Sequence, residues 1–236
     1  VRRDSVELKP IAHIESPFPE KFGVPRQSGL IDSLRAWVVF EPEYRVREAL
    51  RGIEGFSHLW LIWQFDRVPG DKWTPTVRPP RLGGNKRVGV FASRSPFRPN
   101  PVGLSCVELD RVDYEALDGP RLLVRGADLV DRTPIFDVKP YLPSADCKPE
   151  ATGGFTTENP WQELEVEFPP ELLARVPEDR REALTAVLAA DPRPHYQKDR
   201  TRVYGMSFGG MEVRFTVEDL TLRVREVSPQ GHKAAK

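Results

Sequence analysis

The sequence predicts a mainly β protein, with an N-terminal β-barrel followed by a small α+β C-terminal domain. Three observations carry that prediction. Short apolar-rich runs recur between Gly, Pro and Asp turn signals through the first part of the chain. Composition changes near Lys148, where PEATGGFTTENP holds Gly, Thr and Pro without an apolar period and reads as a linker. Beyond it, one helical pattern is followed by short alternating strands.

In order, strands are predicted at Ala36–Phe40, Ser57–Phe65, Arg87–Ala92, Val102–Val112 and Arg121–Ala127. SHLWLIWQF is nearly continuous in apolar residues, which implies burial on both faces or closure into a barrel. Its length and aromatic content favour a strand over a buried helical turn. Five or six such strands suit a barrel. After the linker, WQELEVEF alternates and gives one strand. PEDRREALTAVLAAD predicts a helix, with Pro177 early, Glu178 and Asp179 in the first turn, and Leu184, Val187 and Leu188 on one face. Pro192 ends it. Val203–Phe208, Met211–Val217 and Leu220–Val227 then read as strands, with Gly209-Gly210 as a hairpin turn. The chain is divided into residues 1–147 and 148–236, with no internal repeat.

A chain of 236 residues with 39% hydrophobic and 30% charged content belongs with globular proteins. No apolar run approaches the roughly 18 residues of a membrane helix, and VRRDSVELKP has no signal-peptide core. Cys106 and Cys147 form no CxxC pair, and Cys106 alternates with strand residues as a buried, reduced side chain would. An intracellular, cytoplasmic location is expected.

Net charge is zero, but its distribution is uneven. Lys72 to Val107 contains no acid, yet holds Lys72, Arg78, Arg81, Lys86, Arg87, Arg94 and Arg98. A second basic cluster, RPHYQKDRTR, runs from Arg193 to Arg202, whereas acid concentrates from Glu163 to Glu182. A phosphate backbone responds to such local fields, although basic loops are also simply solvated.

Several enzyme signatures are missing. There is no GxG, no phosphate loop of the GxxxxGK[ST] type and no GxSxG elbow. His13, His58, His195 and His232 do not fall at metal-ligand spacings, so no metal is expected. His58 reads as a structural hydrogen-bonding group. The informative stretch is RVGVFASRSPFRPNPVGLSCVELDRV, from Arg87 to Val112. It predicts a buried strand (Val88, Val90, Phe91), a loop stiffened by Pro96, Pro99 and Pro101, and a second strand through Val102, Leu104, Cys106, Val107 and Leu109. Arg94, Ser95, Arg98 and Asn100 on that loop suit an anionic or planar ligand. The alternative is a hairpin connection with solvated arginines.

That stretch is accompanied, in order, by KFGVPRQSGL (Lys21 to Leu30), GFSHLWLIWQF (Gly55 to Phe65), PRLGGN (Pro80 to Asn85), DRTPIFDVKPYLPSAD (Asp131 to Asp146) and DPRPHY (Asp191 to Tyr196). From about Ile11 to Val227 the chain resembles the TrmO family. The resemblance implies an S-adenosylmethionine-dependent methyltransferase built on a β-barrel. By the same resemblance it is expected to act on N6 of N6-threonylcarbamoyladenosine at position 37 of tRNA, beside the anticodon, as a homodimer with the cofactor near the subunit boundary.

The resemblance also assigns site residues. The cofactor pocket falls on Pro25, Arg26, Gln27, Asp66, Arg67, Arg94, Leu104, Asp131, Arg132, Thr133 and Pro134. Gln27 and the backbone near Leu104 suit an adenine edge, and Arg94 or Arg26 suits a carboxylate. Asp131 or Asp66 suits the sulfonium or amino group, although Asp131 also reads as a turn residue. Asp137 and Tyr141 are the candidates beside the reacting nitrogen, although Asp137 equally reads as a group that fixes the neighbouring backbone, and Lys139 is the candidate for the threonyl carboxylate. Arg193, His195, Tyr196, Lys198, Arg200 and Arg202 are the RNA-contact candidates.

Two positions depart from the family pattern: Asp66, often histidine, and Arg132, usually glycine. Arginine at φ > 0 costs about 1 kcal/mol or more. Two other readings stay open: an RNA-binding module without catalysis, if the departures have abolished cofactor binding, or a small-molecule enzyme or methyltransferase for a different acceptor on the same barrel.

Overall fold

Alternation of inward apolar and outward mixed side chains closes six strands around one core in the computed structural model, which describes residues 6–68, 73–193 and 202–231. They are β1 (Ala12–Glu15), β2 (Arg35–Phe40), β3 (His58–Gln64), β6 (Val102–Asp113), β7 (Arg121–Arg125) and β8 (Pro134–Pro140), in the closed order β1-β2-β7-β6-β3-β8. Two further strands, β4 (Thr76–Val77) and β5 (Val88–Gly89), form a separate ribbon. Leu59, Leu61 and Trp63 of β3 point inward with Val38, Val107, Val124 and Ile135. The intervening Trp60 and Ile62 face outward and are half-buried. SHLWLIWQF is therefore a barrel strand, continuous in apolar character because its outer face is also partly covered.

Register explains one small residue. Trp63 lies opposite Gly103, and a Cβ at Gly103 would stand 2.2 Å from the Trp63 indole. The missing side chain makes room for the ring inside the barrel. Trp63 then donates from Nε1 to Ser105 Oγ at 2.9 Å.

After β8, α1 (Pro143–Asp146) ends the first part, and the second part holds α2 (Phe155–Glu158), β9 (Glu165–Glu167), α3 (Pro170–Leu173), α4 (Glu178–Ala189), β10 (Tyr204–Phe208), β11 (Met211–Glu218) and β12 (Thr221–Pro229). Its sheet runs β10-β11-β12-β9, with β9 parallel to β12 and the other pairs antiparallel. Leu184, Val187 and Leu188 of α4 are buried in this core, as their helical spacing predicts. Gly209 and Gly210 turn the hairpin at φ 56° and 81°.

The two cores are joined across the proposed boundary. Phe18, Ile31 and Leu34 belong to the second cluster, among Met206, Phe208 and Phe215. Phe18, Phe208 and Phe215 are fully buried, each contributing roughly 1.5–3 kcal/mol of transfer free energy. Gly209 N–H also donates to Pro17 O at 2.7 Å.

Three expectations are corrected. Arg87–Ala92 is not a buried strand: only Val88–Gly89 pair, within the β4–β5 ribbon, and Val90–Ala92 form a 3-10 turn. Val90 is buried but Phe91 is 75% exposed, because the turn after Gly89 breaks the alternation. Cys106 is half-buried rather than interior, since Gly103, Ser105 and Val107 are the inward positions of β6. Burial still pushes its thiol upward, with Asp146 adding to the shift. The linker also contains one helical turn, α2. No helix among the described residues is long and apolar enough to cross a membrane.

Candidate cofactor site

The site begins with a strand edge that the barrel leaves open. β7 pairs with β6 only from Glu108 to Asp113, so Val102 to Val107 extend past it. On the other side β3 pairs with β6 from Val102 to Glu108. Phe65 N–H donates to Pro101 O at 2.9 Å and Leu109 N–H to Ser57 O at 2.8 Å, which fixes the alternation. Odd-numbered residues of β6 bond β3 there, and Leu104 and Cys106 present N–H and C=O away from it. Cys106 N–H is taken by Ser28 Oγ at 3.0 Å. Leu104 presents its backbone groups along the same edge, with its side chain 50% exposed.

Two loops converge beside that edge. Arg94 donates to Gln27 Oε1 at 2.6 Å, uniting two residues separated by 67 positions. Gln27 Nε2 donates to Arg26 O at 2.6 Å. The Arg94 loop is held by its own turns: Ser93 Oγ donates to Val90 O at 2.8 Å, and Arg98 donates to Ser93 O at 3.0 Å and Ser95 O at 3.3 Å. Arg98 is thus a loop-fixing residue.

Asp128 completes this cluster, and sequence reasoning did not select it. Its Oδ1 accepts from Ser105 Oγ at 2.5 Å. Burial raises its carboxyl above the ordinary aspartate value, opposed by Ser105, backbone N–H groups including that of Ser28, and the charge of Arg94. The signal available was a lone carboxylate in the apolar run Gly126-Ala127-Asp128-Leu129-Val130.

The next loop residues have different partners. Asp131 Oδ1 accepts Ser16 N–H at 3.0 Å, and Arg67 donates to Pro19 O and Asp131 O, both at 2.8 Å. Thr133 is buried, with its hydroxyl donating to Val130 O at 2.7 Å. Arg132 does occupy the left-handed region, at φ 66°. Its guanidinium donates to His13 Nε2 at 2.6 Å, and His13 Nδ1 meets Glu41 Oε1 at 3.0 Å. Pro134 opens β8 and, with these groups, lines a surface cavity of about 400 Å³. Asp66 is exposed and Pro25 half-buried.

Arg26 turns the other way. It donates to Asp191 O at 3.0 Å and Arg193 O at 3.1 Å, and lies 3.9 Å over the Trp161 ring. Arg81 lies over the same ring at 4.7 Å and donates to Thr156 O at 2.8 Å. Burial lowers the Arg26 guanidinium to about 10, with Asp191 opposing and Arg81 reinforcing that shift.

On the outer barrel face, Asp137 of β8 lies opposite Ile62 of β3, which lies opposite Leu104 of β6. Two strand spacings, about 10 Å, separate the rows of Asp137 and Leu104. Lys139 Nζ is 2.8 Å from Asp137 Oδ2, and Asp137 Oδ1 accepts Val138 N–H at 2.9 Å. Tyr141 packs near His58 and Trp60, at centroid distances of 6.1 and 5.8 Å. Desolvation raises its hydroxyl, with Cys147, Asp146 and Cys106 adding to the effect.

Of the RNA-contact candidates, His195, Tyr196, Lys198 and Arg200 lie outside the described residues. Arg193 makes a two-pronged contact with Asp191, at 2.8 and 2.9 Å. Arg202 lies 5.4 Å over the Tyr204 ring. No group of three metal-binding side chains occurs among the described residues.

Comparison with known proteins identifies the family. The family model for the tRNA-methyltransferase O N-terminal domain matches residues 13–147, and that for the TrmO C-terminal domain matches residues 161–230. The Escherichia coli K12 tRNA (adenine(37)-N6)-methyltransferase is 42% identical over 234 residues, spanning 96% of this chain and 99% of that protein. A putative S-adenosylmethionine-dependent methyltransferase, RcsF, from Pseudomonas aeruginosa is 39% identical over 88% of this chain and 91% of its own length. A crystal structure of TrmO from P. aeruginosa superposes with a TM-score of 0.77 at 31% identity, covering 97% of this chain and 99% of that one. The chain belongs to the TrmO family.

Proposed function

We propose that this protein is a tRNA methyltransferase that uses S-adenosylmethionine to methylate N6 of N6-threonylcarbamoyladenosine at position 37. The observation that carries the reading is the open Leu104 edge of β6 beside the Arg94–Gln27 pair. Its donor set fits the cofactor: a strand edge for a purine, a guanidinium for a carboxylate, an apolar side chain and a nearby carboxylate. When bound, S-adenosylmethionine supplies a methyl group on a sulfonium, open to direct displacement.

The chain's own residues have three tasks. Arg94 and Gln27 bind and orient, with the Leu104 backbone N–H and C=O meeting the adenine edge. Pro25 and the Asp131–Pro134 loop shape the surroundings. Asp137 receives the proton from the acceptor nitrogen, which is a poor nucleophile because it lies between a purine and a carbonyl. Lys139, exposed at the end of the same row, meets the threonyl carboxylate, and Tyr141 borders it. Alignment of the two reactants supplies the larger share of the acceleration.

For the RNA, the acid-free surface from Trp73 to Val107 carries Arg78, Lys86 and Arg87 together with exposed Trp73, Phe91 and Phe97. Basic groups with exposed rings suit phosphates and unpaired bases. By the same chemistry, the basic sequence from Arg193 to Arg202 is a second candidate contact. We assign a homodimer joined through the outer face of β3 and β6, where Leu104 is exposed beside Ile62 and Trp60. A tRNA substrate places the work in the cytoplasm. The test is transfer of labelled methyl from S-adenosylmethionine to bulk tRNA that carries the threonylcarbamoyl group. Incorporation is expected, and cofactor binding without incorporation would contradict the enzyme.

A further inference from the structure

We infer that Asp128 is a positioning residue, whose carboxylate holds the Gln27–Ser28 loop and the Arg94 guanidinium in the arrangement that receives the methyl donor. The inference rests on the methyltransferase reading above. It assigns Asp128, and not the neighbouring Asp131, as the anion of that subsite.

The geometry starts inside the barrel. Ser105 is fully buried, and its Oγ accepts Trp63 Nε1–H at 2.9 Å while donating to Asp128 Oδ1 at 2.5 Å. One end of the carboxylate is therefore tied to the inner wall. The carboxylate also lies within electrostatic reach of Arg94 and of the Ser28 backbone N–H, both of which oppose the rise of its carboxyl. Ser28 then returns to the wall through Oγ, which accepts Cys106 N–H at 3.0 Å. The two loops are stitched a second time by Gly29 N–H on Gly126 O at 2.9 Å. Gly126 has φ 72°, and a Cβ there would stand 3.1 Å from the Gly29 backbone. Close approach at that point brings Asp128 beside Ser28.

Charge gives the second argument. Arg94, which donates to Gln27 Oε1 at 2.6 Å, is the cation whose field acts on Asp128. Burial nevertheless keeps the carboxyl above the ordinary aspartate value, so the charged form is disfavoured by folding. An anion that costs stability while facing the cation of a binding loop serves the loop. Asp131 lacks this relation, because its Oδ1 holds Ser16 N–H and its carbonyl holds Arg67.

The test compares the whole protein with Asp128→Asn in calorimetric titrations of S-adenosylmethionine and of its thioether product. Melting temperature without ligand and turnover at saturating cofactor are measured alongside. The carboxamide keeps an oxygen that can accept from Ser105 Oγ–H, so the fold is retained. Expected are about a tenfold or greater loss of affinity for both ligands, a melting temperature equal or higher, and little change in kcat. Ser105→Ala should lose affinity in the same direction by a smaller factor. Unchanged affinity in Asp128→Asn overturns the inference. So does a loss confined to the sulfonium ligand, which would mean direct contact with its charge. A lower melting temperature with a parallel loss of binding would mean a structural role alone, and also overturns it. No binding by the unsubstituted protein would instead remove the methyltransferase reading itself.

Discussion

The loops at residues 25–28 and 131–134 both carry family motifs, yet they use their polar side chains in opposite ways. In the first, Gln27 meets Arg94 across the mouth of the barrel, and Ser28 docks on the open edge of β6. In the second, Asp131 and Thr133 are directed at backbone groups, and Arg67 comes in to hold the Asp131 carbonyl. Arg26 shows the same contrast within one loop, since it points to Trp161 and two carbonyls while its neighbour Gln27 points to Arg94. A motif therefore mixes groups that join distant loops at the candidate site with groups that hold their own loop, and the partner of each side chain separates them.

The largest expected effect attacks the β6 wall on which the first loop docks. Gly103→Ala would place a Cβ in the Trp63 ring, 2.2 Å from its nearest atom. Either the ring or β6 must move, at a cost of about 3 kcal/mol by the usual scale of overpacking. A fall in melting temperature by several degrees checks this. The 25–28 loop should lose order with it, because β6 carries the Cys106 N–H that Ser28 holds, whereas the 131–134 loop keeps its own backbone contacts.

The next variant separates the loops. Arg94→Ala should weaken cofactor binding ten- to hundredfold, about 1.5–3 kcal/mol, with melting temperature unchanged. Calorimetry and a thermal scan measure the two quantities. An unchanged dissociation constant would leave Arg94 a loop residue and erase the contrast.

Asp131→Asn should do the reverse. The Ser16 N–H bond to a carboxylate becomes a bond to an amide, costing about 1 kcal/mol of stability. Affinity for cofactor should follow only that loss of order. A large affinity loss with unchanged stability would put Asp131 among the ligand-facing groups.

Arg132→Gly should have the smallest effect. At φ 66° the exchange relieves about 1 kcal/mol of backbone strain, offset by the added freedom of glycine in the unfolded chain and by the lost contact with His13. Denaturant unfolding should register a net change below about 1 kcal/mol. A marked loss would make the Arg132–His13–Glu41 chain a principal support of the rim.

Much of the fold was legible because barrel strands carry their period in sequence. Leu59, Leu61 and Trp63 alternate inward, and α4 shows Leu184, Val187 and Leu188 on one face. β1 and β8 were not read as strands. The first is only the four residues AHIE, and the second, PIFDVKP, has proline at both ends, so neither offers a long alternating run. Arg87–Ala92 misled for the opposite reason: its valines look like a strand, but they serve a two-residue ribbon and a turn.

The site was legible as motifs and not as roles. Gln27 and Arg94 meet only because the barrel brings distant loops to one mouth. Asp128 was missed because an isolated acid after a strand resembles any turn residue until Ser105 and Ser28 are seen around it.

Nucleoside mass spectrometry tests the central claim most directly. Two preparations of the same tRNA, one bearing threonylcarbamoyladenosine at position 37 and one bearing adenosine there, are incubated with the protein and S-adenosylmethionine. Methylated threonylcarbamoyladenosine should accumulate in the first, and the second should remain unmodified. Equal methylation of both would contradict the assigned substrate, and methylation of neither would contradict the enzyme.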